Sequence, residues 1–215
     1  MQQYFRKHSY LIVFIAFSSA CISAFANSYV DFFRSVNVDN DGAVRSLLAK
    51  GFDPNTADEQ GQLALYVALR SESTKVVALL LKHPELKVDA TNQADETPLM
   101  MAALRGLLDS TQLLLARGAA INRAGWTPLH YAASGPEPKL VALLLERGAL
   151  VDASSPNRTT AVMMAARYGP DESVNLLRAR GADLRARNDL GLNAADFARL
   201  GGRERLAKEL DAASR

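Results

Sequence analysis

Oxygen ligands alternate in Asn37-Val38-Asp39-Asn40-Asp41-Gly42 ahead of a glycine, the way a calcium-binding loop begins. Such a loop needs a carboxylate where this segment has Asn37 and a bidentate Glu where it has Leu48, an apolar helix residue. A polar turn between two helices accounts for the same residues. Of the three histidines, neither His83 nor His130 has a second His or a Cys at metal-ligand spacing, and His8 lies near the N-terminus. The sequence has no G-x-S-x-G elbow and no phosphate-cradling glycine loop, and its one cysteine, Cys21, has no catalytic companion motif. Carboxylates fall at turns and helix ends, where capping and solubility explain them. No catalytic, cofactor-binding or metal-binding residue is assigned, and the chain is read as a non-enzyme.

Charge and targeting narrow the class further. Arg6 and Lys7 precede the apolar run Leu11 to Phe17, and Ala24-Phe25-Ala26 has the small-x-small spacing of a cleavage site, so residues 1–26 are expected to be a signal peptide cut before Asn27. Two alternatives are an uncleaved membrane helix over the uncharged stretch Ser9 to Val30, and lipid anchoring through Cys21 behind Ser18-Ser19-Ala20. Removing Arg6 and Lys7 makes the bases equal in number to the 23 acids. The neutral remainder has no net basic surface of the kind that nucleic acid requires. It also contains no cysteine, so packing alone must hold it together. The full chain, with 215 residues, 48% hydrophobic and 22% charged, suits one medium domain or a modest repeat array.

The elements that would position any site follow from a repeat. Thr97-Pro98-Leu99-Met100-Met101-Ala102 returns as Thr127-Pro128-Leu129-His130-Tyr131-Ala132 and as Thr160-Ala161-Val162-Met163-Met164-Ala165, and a glycine (Gly118, Gly148, Gly181) follows each Thr after 21 residues. The frame extends back to Leu63 and Val30 and forward to Asn193. Thr is suited to cap a helix and Pro to occupy its first turn, the small Ala132 and Ala133 allow close approach of a second helix, and the glycine suits a left-handed helix end. Leucine runs such as Leu143 to Leu145 cannot be buried within one unit, so the units must stack.

The frame holds near 33 residues, but Thr97 to Thr127 spans 30, and the shortage falls after Asn122. A shortened connecting turn is expected there. The second unit lacks the terminal glycine and has His83-Pro84-Glu85 in its place. Met101, Tyr131, Met164 and Phe197, four residues beyond each Thr position, are expected to be core between units.

The sequence resembles the ankyrin-repeat family over residues 28 to 215, and Thr127-Pro128-Leu129-His130-Tyr131-Ala132 matches its T-P-L-H-x-A signature. The resemblance implies an all-α solenoid of about six helix-turn-helix units joined by β-turn fingers, with units at 28–58, 59–92, 93–124, 125–154, 155–188 and 189–215, the first and last acting as caps. It also implies protein binding on a concave face, whose variable positions are the residue before each Thr position and those seven and eight beyond it. By that register the candidate partner-binding residues are Trp126, Tyr168, Arg70, Arg105 and Arg167, with the arginines favouring an acidic partner. The protein is therefore expected to be monomeric, periplasmic or alternatively secreted or lipid-anchored, and not membrane-spanning once mature. Its partner would be another protein, for which it acts as an accessory, protective or inhibitory factor. The alternative is a secreted effector acting on a host protein.

Overall fold

The structure, a computed structural model, describes the backbone of residues 19–214 and the side chains of residues 27–214. The charged start at Arg6-Lys7 and the apolar run Leu11 to Phe17 lie outside the described residues, and the expected cleavage point falls within the first helix. Among the described residues, no helix is long and apolar enough to cross a membrane.

Twelve helices form six consecutive pairs within that span: α1 (Ser19–Asn37) with α2 (Asp41–Ala49), α3 (Ala64–Arg70) with α4 (Thr74–Leu81), α5 (Pro98–Leu104) with α6 (Leu108–Ala116), α7 (Pro128–Ser134) with α8 (Pro138–Glu146), α9 (Ala161–Tyr168) with α10 (Asp171–Ala179), and α11 (Ala194–Leu200) with α12 (Glu204–Ala213). The odd-numbered helices touch one another in sequence as an inner row, and α2, α4, α6, α8 and α10 do the same as an outer row. The result is a two-row solenoid.

Packing follows the repeat frame. Leu80, Leu114, Leu144 and Leu177 stand at one position of successive units and are all fully buried, forming a column of leucines between the rows. Burying such a side chain contributes about 1.5–3 kcal/mol, which no isolated pair could collect. Gly118, Gly148 and Gly181 end their helices at φ of +90°, +91° and +85°, the left-handed region where a Cβ is disfavoured. In the second unit, which has no such glycine, the Arg117 guanidinium donates instead to the carbonyls of His83 and Pro84 at 2.9 and 3.2 Å. Gly169 has a different reason to be glycine. A Cβ there would lie 2.0 Å from the Ala133 carbonyl oxygen, so the close seam between α7 and α9 depends on its absence.

Helix starts depart from expectation at Thr127 and at Thr160, whose buried hydroxyl makes no cap hydrogen bond to α9. Thr97 caps α5 as anticipated, its hydroxyl accepting from the Met100 N–H at 3.3 Å. At α7 the Thr127 hydroxyl instead lies 2.9 Å from His130 Nδ1, which also accepts from the Thr127 N–H at 3.2 Å. With Nδ1 accepting, the ring proton belongs on Nε2, which donates to the Thr159 carbonyl at 3.0 Å. His130 thus ties the fourth unit to the turn entering the fifth.

The calcium-like segment is a turn. Asp39, at φ +55°, accepts from the Val76 N–H of the next unit at 3.0 Å, and Asn40 caps α2 through Ala43. Asp41 pairs with Arg45.

Candidate partner-binding site

The inner helices and the finger turns that enter them share one face of the solenoid, the palm. Four fingers are built alike. Asp58, Asn92, Ser155 and Asn188 each donate their N–H to the carbonyl of the residue four positions on, at 2.8–3.1 Å, and each side chain accepts a backbone N–H within the same turn. A second set of residues, at the finger bases, accepts from the backbone of the following unit: Asp89 from Ala120 and Asp152 from Asp183.

Asn122 takes that basal role, accepting from the Leu150 N–H at 3.0 Å and donating to the Gly148 carbonyl at 2.9 Å. Three residues fewer than in its neighbours then separate it from Thr127, and the four that remain, Arg123 to Trp126, are too few for the five-residue hydrogen-bonded turn of the other fingers. The fourth finger is therefore a stub. Arg123 bridges from it to the third finger, donating to both carboxylate oxygens of Asp95 at 2.8 and 2.7 Å and to its carbonyl at 2.6 Å. On the other side Gly125 lies against Pro156 of the fifth finger.

Trp126 ends the stub, and a cavity of about 240 Å³ opens beside it. Trp126 and His130 form one wall, their rings edge to face with centroids 5.2 Å apart. Tyr131 and Ser134 continue along α7, Met164 and Tyr168 face them from α9, and Leu104 closes the α5 side. Tyr168 is 55% exposed, an unusual condition for a large aromatic ring in a folded chain. The Arg167 guanidinium lies 4.9 Å above its ring. Among the described residues, Arg167 has no carboxylate partner, and neither does Arg158 on the adjoining fifth finger.

Of the five residues singled out by register, Trp126, Tyr168 and Arg167 are therefore together. Arg70 and Arg105 are elsewhere on the palm and have partners. Arg70 hydrogen-bonds the Gln62 side chain beside a separate hollow lined by Tyr29 and Asp58, and Arg105 pairs with Glu72. Met101 and Phe197 are buried between units, whereas Tyr131 and Met164, expected at equivalent core positions, are half-buried and line the cavity. The stub uncovers them. The one sequence signal that could have found them is the period of 30 itself.

The palm N-terminal to the cavity carries a polar cluster that the register did not reveal. Glu96 accepts from the Tyr66 hydroxyl at 2.5 Å, the Asn92 amide at 2.8 Å and the Tyr131 hydroxyl at 2.9 Å, so that one carboxylate of the third finger links α3 to α7. Burial pushes the Glu96 carboxyl up, but the hydrogen bonds from Tyr66, Asn92 and Tyr131 outweigh it and hold the group below its ordinary value. Burial first, and the Glu96 carboxylate second, push both phenols well above theirs. Burial lowers His130, only partly opposed by its backbone hydrogen bonds, so the ring is held neutral. Among the described residues no group of three or more His, Cys, Asp or Glu side chains is placed to hold a metal ion.

The family model for ankyrin repeats, in three copies, matches residues 32–124 and 121–188. The nuclear factor NF-kappa-B p105 subunit of Gallus gallus is 32% identical over 152 residues, 67% of this chain and 16% of that protein. The B-cell lymphoma 3 protein homolog of Mus musculus is 33% identical over 139 residues, 60% of this chain and 31% of that protein. The chain thus spans less than a third of the length of either relative. Among solved structures, a chain in the complex of a predatory endopeptidase from Bdellovibrio bacteriovorus with an immunity protein superposes with a TM-score of 0.72 at 25% identity, covering 85% of this chain and 97% of that one.

Proposed function

Because this chain belongs to the ankyrin-repeat family, we propose that it is a protein-protein interaction module whose palm, at the fourth and fifth units, holds another protein. One observation carries the reading. The stub finger leaves an aromatic-lined cavity open on the face that the fingers otherwise cover, with Trp126 half-buried and Tyr168 exposed at its rim. Tryptophan, tyrosine and arginine set around a desolvated pocket are the residues that dominate binding energy at protein interfaces.

The palm works outside the cytoplasm, following export by residues 1–26, and the protein acts as an accessory, protective or inhibitory factor for another exported protein. Three features support this: the charged start, apolar run and small-x-small site of the N-terminus, the absence of cysteine after Cys21, and the likeness to a chain of the complex between an endopeptidase and an immunity protein. The role is binding, with no reaction assigned to the palm.

Affinity purification of the tagged full chain from the native compartment tests the reading, with Trp126→Ala as the paired control. A partner should be retained by the wild type and lost with the variant, since truncating a central aromatic anchor costs about 2 kcal/mol or more of binding energy. Equal capture by both would move the interface off the cavity, and recovery of the chain in the cytoplasmic fraction would remove the export half of the proposal.

A further inference from the structure

The cavity and the charges around it select a kind of partner. At about 240 Å³ the cavity is smaller than the range of about 300–1,000 Å³ in which small-molecule sites fall, and its walls are mostly rings and aliphatic groups. It suits one bulky apolar side chain supplied by a polypeptide. The charge on either side is unequal. Toward the N-terminus, Arg105 and Arg123 are neutralised by Glu72 and Asp95, and the second finger carries Asp58 and Glu59. Toward the C-terminus, Arg167 and Arg158 have no carboxylate among the described residues.

Their geometry is suited to accepting one. The Arg167 guanidinium lies over the Tyr168 ring at 4.9 Å, and among the described residues its N–H donors hold no side chain or carbonyl, which leaves them available for a carboxylate. Arg158, exposed on the fifth finger, precedes Thr159, whose carbonyl accepts from His130 Nε2 at the cavity wall, so the second cation stands on the finger next to the cavity rather than in its lining. The backbone there, at φ +61°, is the tip of the fifth finger, which stands beside the gap left by the stub.

We infer that the cavity is the docking site for an extended acidic segment of a protein partner, which inserts one phenylalanine- or leucine-sized side chain between Trp126 and Tyr168 and directs flanking carboxylates to Arg167 and Arg158. This rests on the palm reading above and narrows it to one chemistry. The missing finger tip supplies the space for the segment's backbone, and the acidic second and third fingers disfavour the opposite charge order.

The test uses Trp126, the only tryptophan in the chain, as its own reporter. Three capped pentapeptides are titrated into the full chain: one phenylalanine flanked by aspartates, the same with lysines replacing the aspartates, and the same with serine replacing the phenylalanine. The first should change Trp126 emission saturably, with the other two at least about tenfold weaker, and added salt should weaken it. Arg167→Glu should weaken the first peptide about tenfold and narrow or reverse the preference over the lysine peptide, while Lys139→Glu on the outer helix α8 leaves both unchanged. Equal binding of the lysine peptide overturns the acidic assignment while leaving the palm reading in place. Equal binding of the serine peptide overturns the apolar insertion. No emission change with any peptide at millimolar concentration overturns the inference outright, and the palm reading then falls only if Trp126→Ala also retains the captured partner.

Discussion

On the palm of the second and third units the polar side chains find partners: Glu96 takes the hydroxyl of Tyr66 and, across the boundary, that of Tyr131 in the fourth unit, Arg70 the side chain of Gln62, and Arg105 the carboxylate of Glu72. On the fourth and fifth units the equivalent positions form no such pairs: Trp126 and Tyr168 stand around a cavity, and Arg167 lies over a ring rather than against an acid. Both regions share the same helix pairs and the same buried leucine column. They differ through three missing residues. A full finger closes its turn on itself and brings a residue such as Glu96 down onto the inner helices, whereas the stub brings down Trp126 and leaves the space above it empty. In one scaffold, a loop three residues shorter goes with an open surface in place of internal polar pairing.

The comparison can be broken most strongly at Glu96. Glu96→Ala leaves two phenols and an amide without their shared acceptor, and since the site is half-buried the expected cost is about 1–2 kcal/mol of stability, read from denaturant unfolding. Partner capture should fall far less than with Trp126→Ala, since Glu96 reaches the cavity only through the Tyr131 hydroxyl. An equal loss of capture alongside the loss of stability would mean that the two halves of the palm act as one. Trp126→Ala should do the converse, with capture lost and stability lowered by about 1 kcal/mol at most, the scale of an aromatic pair such as Trp126 with His130.

A smaller and more selective effect comes from acid. His130 has its folded value lowered by burial, so the unfolded chain binds the proton more readily. Its contribution to stability is complete above the ordinary value of 6.5 and is lost as the pH falls from there toward the lowered folded value. Glu96 is also lowered, so its clasp persists until a more acidic range, below the ordinary 4.5, is reached. The seam between the fourth and fifth units should therefore loosen first, and His130→Gln should flatten the unfolding free energy just below pH 6.5 while leaving the slope below pH 4.5 in place. An unchanged slope in the variant would separate His130 from that seam.

Much of this architecture is visible in the residue order because ankyrin packing is local. The Thr-Pro start, the paired alanines and the glycine end each act within one unit, and the leucine column repeats at a constant interval. The stub was legible too, as a period of 30 with its gap after Asn122, and so was the grouping of Trp126 with Tyr168 one unit away. The side-chain partners were not. Arg105 meets Glu72 across 33 residues, and Glu96 joins side chains 30 and 35 residues away; no local pattern encodes such pairings. Register alone also placed Tyr131 and Met164 in the core. Their partial exposure depends on what the neighbouring finger fails to cover, a property of two units together rather than of either sequence segment.

Hydrogen-deuterium exchange of the full chain, alone and with the captured partner, tests the central contrast most directly. Slowed exchange concentrated in Pro128–Ser134, Ala161–Tyr168 and the fifth finger, with Ala64–Arg70 and the second finger unchanged, is the predicted result. Protection confined to the second and third units, or to the outer helices α6 and α8, would contradict it.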